Sequence, residues 1–163
     1  MELNENISTY VAPGIVKTNP TRDDVLEIID GVIEKVFNVQ SKDLRTKSRL
    51  REIVVPRQTY MALLIDFANK KANKQPFGLS NLGMKLFDEK VDGEIIKDPG
   101  FSLQEIGDFF NKDHATVLHS RKAIVNDWIY DKSLGFGDKV RMAYKLVKLQ
   151  LIQIHTKDER VLD

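Results

Sequence analysis

Residues 101–128, FSLQEIGDFFNKDHATVLHSRKAIVNDW, constrain this chain more than any other stretch. Ser102 is placed to cap a short helix in which Leu103, Ile106, Phe109 and Phe110 fall at helical spacing. Asn111, Lys112 and Asp113 then interrupt the pattern with turn-forming residues. The spacing predicts a second helix, with Val117, Leu118, Ile124, Val125 and Trp128 along one side. Two short helices joined by a tight turn make a helix-turn-helix. In that motif the second helix offers its N-terminal residues to base edges in the DNA major groove. Here those residues are Asp113, His114, Ala115 and Thr116, with His119 one turn further on. Any helical hairpin produces the same pattern, so the weight falls on what accompanies it.

The 163 residues carry a net charge of only +1 and no cysteine. That length allows one domain with a real core and a small appendage. Without cysteine there is no disulfide framework and no thiolate metal site, which suits a reducing cytoplasm. No apolar run reaches transmembrane length, and the N-terminus lacks the apolar core of a signal peptide. A DNA-binding chain of such balanced charge must cluster its basic residues. Between Arg45 and Arg57 stand five of them (Arg45, Lys47, Arg49, Arg51, Arg57) against one acid, Glu52. Most such runs are solvated loops. This one is arginine-rich, as phosphate and minor-groove contacts favour. It also leads straight into an expected helix start, with Pro56 at the first helical position and Arg57 and Gln58 in the first turn, a natural place for phosphate.

The rest of the chain reads as support. Residues 1–20 form a polar, flexible tail, in which Ile15 and Val16 can still pack on the body. Thr21 and Asp24 make a capping-box variant, followed by the apolar stripe Val25, Ile28, Ile29, Val32, Val36 and Phe37. Ser41 caps a short turn through Leu44. The third helix is expected from Pro56 to Asn69, with Tyr60, Met61, Leu63, Leu64, Phe67 and Ala68 inward. Residues 70–100 change character, holding four of the nine glycines. Asp92-Gly93 predicts a short β-hairpin there. It reads as a flap over the core in preference to a basic wing of Lys70, Lys71, Lys74 and Lys85, because acids interleave with the lysines. After a loop at 131–137, Asp138 caps a last helix carrying Val140, Ala143, Tyr144, Val147, Leu151 and Ile154. Residues 157–163 fray, so the expected domain is 21–156.

Several chemistries are missing. There is no P-loop, and Gly135-Phe136-Gly137 is a lone turn without a preceding strand. His114 and His119 are five residues apart, about 140° around a helix, so they cannot share a metal as an i, i+4 pair does. No nucleophile–base set stands out. No cofactor, metal or catalytic residue is expected, and the chain does not read as an enzyme.

FNVQSKDLRTKSRLREIVVPRQ, followed by FSLQEIGDFFNKDHATVLHSRKAI, resembles the C-terminal DNA-binding domain of the bacterial chromosomal replication initiator DnaA, with an insertion at about 70–100. The resemblance implies an all-α helical bundle containing a helix-turn-helix that reads a short box of double-stranded DNA. It implies that Arg49 enters the minor groove and that Asp113 and His114 read bases in the major groove. Arg51, Arg57, Gln58, Thr116 and His119 would hold the backbone, with Lys112 and Lys122 adding basic contacts. Ala115 stands where the family usually has Ser or Thr, although its methyl can still meet a thymine methyl. Ala123, Ile65 and Gln104 also depart from the family pattern, which bears on the preferred sequence. The family's ATP-binding motor domain is not seen, so this chain is expected to mark a site without opening it. Its implied setting is the nucleoid of a cytoplasm, as a phage- or mobile-element-encoded protein. Replication initiator or helicase-loading proteins are its implied partners, and no membrane is. A transcriptional regulator using the same domain, and a protein-interaction module that does not bind DNA, are the alternatives.

Overall fold

The computed structural model describes residues 19–68, 90–91, 94–95 and 99–155. The first helix, α1 (Arg22–Phe37), starts at a closed capping box. The Asp24 amide donates to the Thr21 hydroxyl at 3.1 Å, and the Thr21 amide donates to the Asp24 carboxylate at 2.8 Å. The shorter Asp side chain therefore replaces the usual Glu without loss of either bond. The helix stops at Asn38, which takes a left-handed conformation with φ 56°. Its buried stripe is the expected one with Ile33 added, while Val36 is only partly buried.

The single turn α2 (Ser41–Leu44) is capped from Gln40, not from Ser41. The Ser41 hydroxyl donates instead to Asp30 on α1 at 2.9 Å, beside a second bond to the same oxygen from the Tyr60 hydroxyl at 2.6 Å. A carboxylate within reach outcompetes a local cap. The next helix, α3 (Arg51–Ala68), begins earlier than expected, at Arg51 rather than Pro56. The Ile53 and Val54 amides both donate to the Leu50 carbonyl, closing the first turn upstream of the proline. Pro56 lies inside the helix, where its missing N–H leaves one carbonyl unpaired. From Thr59 to Ala68 every residue is buried, so α3 is the central helix and not a one-sided one.

After α3 the chain makes an excursion. The two-residue strands β1 (Lys90–Val91) and β2 (Glu94–Ile95) pair antiparallel, Lys90 opposite Ile95 and Val91 opposite Glu94. The Asp92-Gly93 turn and the expected Asn69 helix end lie outside the described residues, as do 1–18 and 157–163. The Phe101 amide donates to the Ala68 carbonyl at 2.7 Å, so residues 68 and 101 lie side by side.

Two short helices follow, α4 (Leu103–Phe109) and α5 (His114–Asn126), then a 3-10 turn at Trp128–Tyr130 and the long α6 (Phe136–His155). Helix α3 packs against α1, α5 and α6, and α5 also rests on α4. Six helices are seen among the described residues, and the architecture is all-α. Trp128 does not extend the apolar side of α5. It sits in the 3-10 turn and meets Phe136 edge-on at 5.3 Å. The α6 start is also reassigned: the Phe136 amide donates to the Asp131 carboxylate at 3.0 Å, while Asp138 pairs with Arg141 at 2.7 Å. Gly137 is in the first turn of that helix because a Cβ there would lie 2.6 Å from the Asp131 carbonyl oxygen.

One buried network crosses the bundle. The Arg121 Nε–H of α5 donates to Asp66 Oδ1 of α3 at 2.7 Å, and the Tyr144 hydroxyl of α6 donates to Asp66 Oδ2 at 2.6 Å. Both charged side chains are essentially without exposure, and each makes a further contact. Burial pushes the Asp66 carboxyl up to about 6, against the opposing pull of the Arg121 charge and the Tyr144 bond. A folded-state value above the ordinary 3.8 means that the folded chain holds a proton the unfolded chain has released. This group therefore lowers stability as pH rises from about 4 to about 6, and its contribution is level above that. A urea series across the window should show the decline. Asp66→Leu alone removes the carboxylate that the buried Arg121 guanidinium faces and is expected to cost about 3–5 kcal/mol at neutral pH in the same assay.

Candidate nucleic-acid interface

The basic loop, residues 45–50, is built by its own short side chains and one long one. The Thr46 hydroxyl donates to the Asp43 carbonyl, the Ser48 amide to the Thr46 hydroxyl, and the Leu50 amide to the Ser48 hydroxyl. Such Ser and Thr bonds fold the backbone locally in place of helix or sheet. Arg57 completes the loop from inside. Its Nε–H donates to the Leu44 carbonyl at 2.6 Å, and its Nη2 donates to the carbonyls of Thr46 and Ser48 at 2.8 and 3.2 Å. With only 5% of its surface exposed, Arg57 is not presented to a phosphate, contrary to the sequence reading. Arg57 stands three and four residues before the buried Tyr60 and Met61, on the same inward face of α3. The loop is thereby left with Arg45, Lys47 and Arg49 exposed.

The second half of the interface is the helix-turn-helix itself. Ser102 accepts the Glu105 amide and so starts α4 as expected. The turn is tight. The Lys112 amide donates to the Gly107 carbonyl at 2.9 Å, and Asn111 takes φ 56°. A Cβ on Gly107 would stand 2.3 Å from the Lys112 carbonyl oxygen, so the close approach of turn to helix requires glycine. Asp113 is the cap of α5 and not a residue within it, its carboxylate accepting the Thr116 amide at 2.8 Å. That bond holds its carboxyl below the usual range, helped by the nearby His114 and His119. The helix buries Val117, Ser120, Arg121, Ile124 and Val125. His114, Ala115, Leu118, His119 and Lys122 stay exposed, and Thr116 is half-buried.

The two halves meet. A cleft of about 320 Å³ is lined on one side by residues 45–49, Val54 and Arg57, and on the other by Phe110, Asn111 and Lys112. Arg49, Arg57 and Lys112 are thus brought together at the foot of α5. Arg51 is not among them; it lines a separate hollow with Glu52, Leu134 and Lys139. Gln58 is half-buried, and its Oε1 is buried without a hydrogen-bond partner among the described residues. Sequence reasoning placed Leu118 inward, yet it is 39% exposed on the outer face. It overlooked Arg121, whose signal was a charge four residues after Val117 and three before Ile124. Among the described residues no acid or histidine cluster is placed to hold a metal, and no helix is long and apolar enough to cross a membrane.

A capped short helix, a glycine-tight turn and a second helix with an exposed outer face define a helix-turn-helix domain. Comparison with known proteins narrows the class. The chain is similar to the chromosomal replication initiator protein DnaA of Bacteroides thetaiotaomicron, 29% identical over 148 residues. It is similar at 28% to those of Caldanaerobacter subterraneus and Desulfotalea psychrophila, over 120 and 144 residues. These alignments take in 90%, 74% and 85% of this chain but only 24%, 20% and 23% of the relatives. The chain therefore spans between a fifth and a quarter of the length of these proteins, and the resemblance seen in its two motifs extends over most of it. No protein-family model and no solved structure matches the chain.

Arg57→Ala removes three bonds to loop carbonyls and is expected to cost about 1.5–3 kcal/mol. Arg57→Lys should recover little, because an ammonium lacks the planar fork that reaches several carbonyls at once. Urea denaturation gives the cost, and hydrogen exchange at the amides of residues 46–50 reports loosening of the loop.

Proposed function

We propose that this chain binds double-stranded DNA sequence-specifically, at a site like the box read by DnaA, in replication initiation or its regulation. The observation that carries this reading is the cleft between the basic loop and the helix-turn-helix turn, which sets exposed arginine beside the exposed start of α5. In the docking this supports, α5 enters the major groove with His114 and Ala115 against base edges. Asp113 spends Oδ1 on its own helix, leaving Oδ2 to accept from a cytosine or adenine amino group. Leu118 adds an apolar surface for a thymine methyl. Arg49 enters the neighbouring minor groove. Arg51, Lys112, Thr116, His119 and Lys122 hold phosphates, and Gln58 approaches the backbone through its amide nitrogen. Arg57 acts by shaping the loop. The setting is the cytoplasm, on the nucleoid, with replication initiator or helicase-loading proteins as further partners.

The test is fluorescence anisotropy of a labelled duplex carrying the DnaA box against a scrambled one, at two salt concentrations. Wild type should prefer the box, and its affinity should fall with salt by about 0.9 in logarithmic slope for each phosphate held. His114→Ala should lose about 1–3 kcal/mol on the box and much less on the scrambled duplex. Arg49→Ala should weaken binding to the box. Equal, salt-sensitive binding to both duplexes would remove box reading and leave non-specific DNA binding. No binding to either would put the protein-interaction module in first place.

A further inference from the structure

We infer that Arg121 is a positioning residue for DNA reading: its buried pairing with Asp66 and Tyr144 sets the rotation of α5, and with it which side chains meet the bases. The inference rests on the DNA-reading function proposed above. Helix α5 has 13 residues, and the apolar part of its buried face is Val117, Ile124 and Val125. A seam of similar branched side chains tolerates repacking and specifies orientation weakly. The polar contact does not. Asp66 Oδ2 is already held from α6 by Tyr144 at 2.6 Å, so the carboxylate cannot follow a rolling helix. The Arg121 Nε–H meets Oδ1 at 2.7 Å from a side chain only 2% exposed, so a roll of α5 must stretch this bond or re-bend a closely packed side chain.

Helical geometry carries that restraint to the outer face. His114 lies seven residues before Arg121, within about 20° of the same line along the helix. Ala115, His119 and Lys122 lie roughly 100–160° from it, on the side away from the core. With side-chain tips about 5–6 Å from the axis, a roll of 20° moves them by about 2 Å. Base-edge hydrogen bonds tolerate only a few tenths of an ångström, about 2.7 to 3.2 Å in all. The contacts of Arg45, Lys47, Arg49, Arg51 and Lys112 come from outside α5 and do not move with such a roll, and the long Lys122 side chain can follow a phosphate. Loss of the network should therefore remove discrimination and spare most of the general affinity.

The informative variant is Arg121→Met combined with Asp66→Leu and Tyr144→Phe, which roughly keeps volume and removes both members of the ion pair together. Buried ion networks replaced in this way usually leave a folded chain. Circular dichroism and urea denaturation establish folding, and the anisotropy assay compares the box with the scrambled duplex. Expected is a cooperatively folded protein whose affinity for scrambled DNA stays within about twofold of wild type, while its preference for the box falls by about tenfold or more, the worth of one base contact. Tyr144→Phe alone, which keeps the ion pair, should give a smaller fall in the same direction. A folded triple variant that keeps the wild-type preference overturns the inference. So does a triple variant that does not fold, because the network would then be a stability element. Wild type without any preference overturns box reading itself, a result distinct from either.

Discussion

The Asp66 carboxylate is buried at the centre of the bundle, and the arrangement of three helices depends on its being met there. Arg121 supplies the charge from α5 and Tyr144 the second bond from α6. An isolated buried charge costs several kcal/mol, so neither helix can withdraw without penalty. The network adds directional bonds to the non-directional apolar contacts that hold α3 against its neighbours. It also spans separations of 55 and 78 residues, so it closes only when the distant parts of the chain have come together.

The interface inherits its geometry from that centre and from a second inward-facing arginine. Arg57 ties the basic loop to α3 as Arg121 ties α5 to it, each through guanidinium donors. The chain thus divides its basic residues by direction. Two arginines point in and hold shape. Arg45, Lys47 and Arg49 point out and carry the exposed positive charge of the loop. A net charge of +1 is compatible with a basic surface because the acids sit elsewhere, several of them at helix starts.

What was legible in the sequence was local. Thr21 with Asp24, Ser102 with Glu105, and the turn at residues 111–113 each act within a few residues, so pattern and structure agree. The all-α class came with the family resemblance, and the helical periodicity of the segments outside residues 70–100 agrees with it. Errors arose wherever a distant partner decided. Ser41 was read as a cap, but Asp30 takes its hydroxyl. Asp138 yielded its cap to Asp131 across a loop. Pro56 suggested a helix start, whereas the Leu50 carbonyl had already closed the first turn. In the sequence Arg57 reads as a charge without direction, and Arg121 is overlooked. Yet each stands at helical spacing from buried residues, Arg57 from Tyr60 and Met61, Arg121 from Val117 and Ile124. A basic residue in register with an apolar stripe is the mark of an inward-facing guanidinium.

The hydrogen bond between the Phe101 amide and the Ala68 carbonyl has a topological consequence. It sets residues 68 and 101 side by side, so the chain between them begins and ends at one doorway in the bundle. The entropic cost of spanning such a doorway grows only with the logarithm of the length spanned, roughly 0.6 kcal/mol for each doubling. Loop-closure cost therefore sets only a weak limit on the length of chain between residues 68 and 101. For the protein engineer the same junction is a port, at which a fluorescent domain or an affinity handle can be carried without passing its strain to the core.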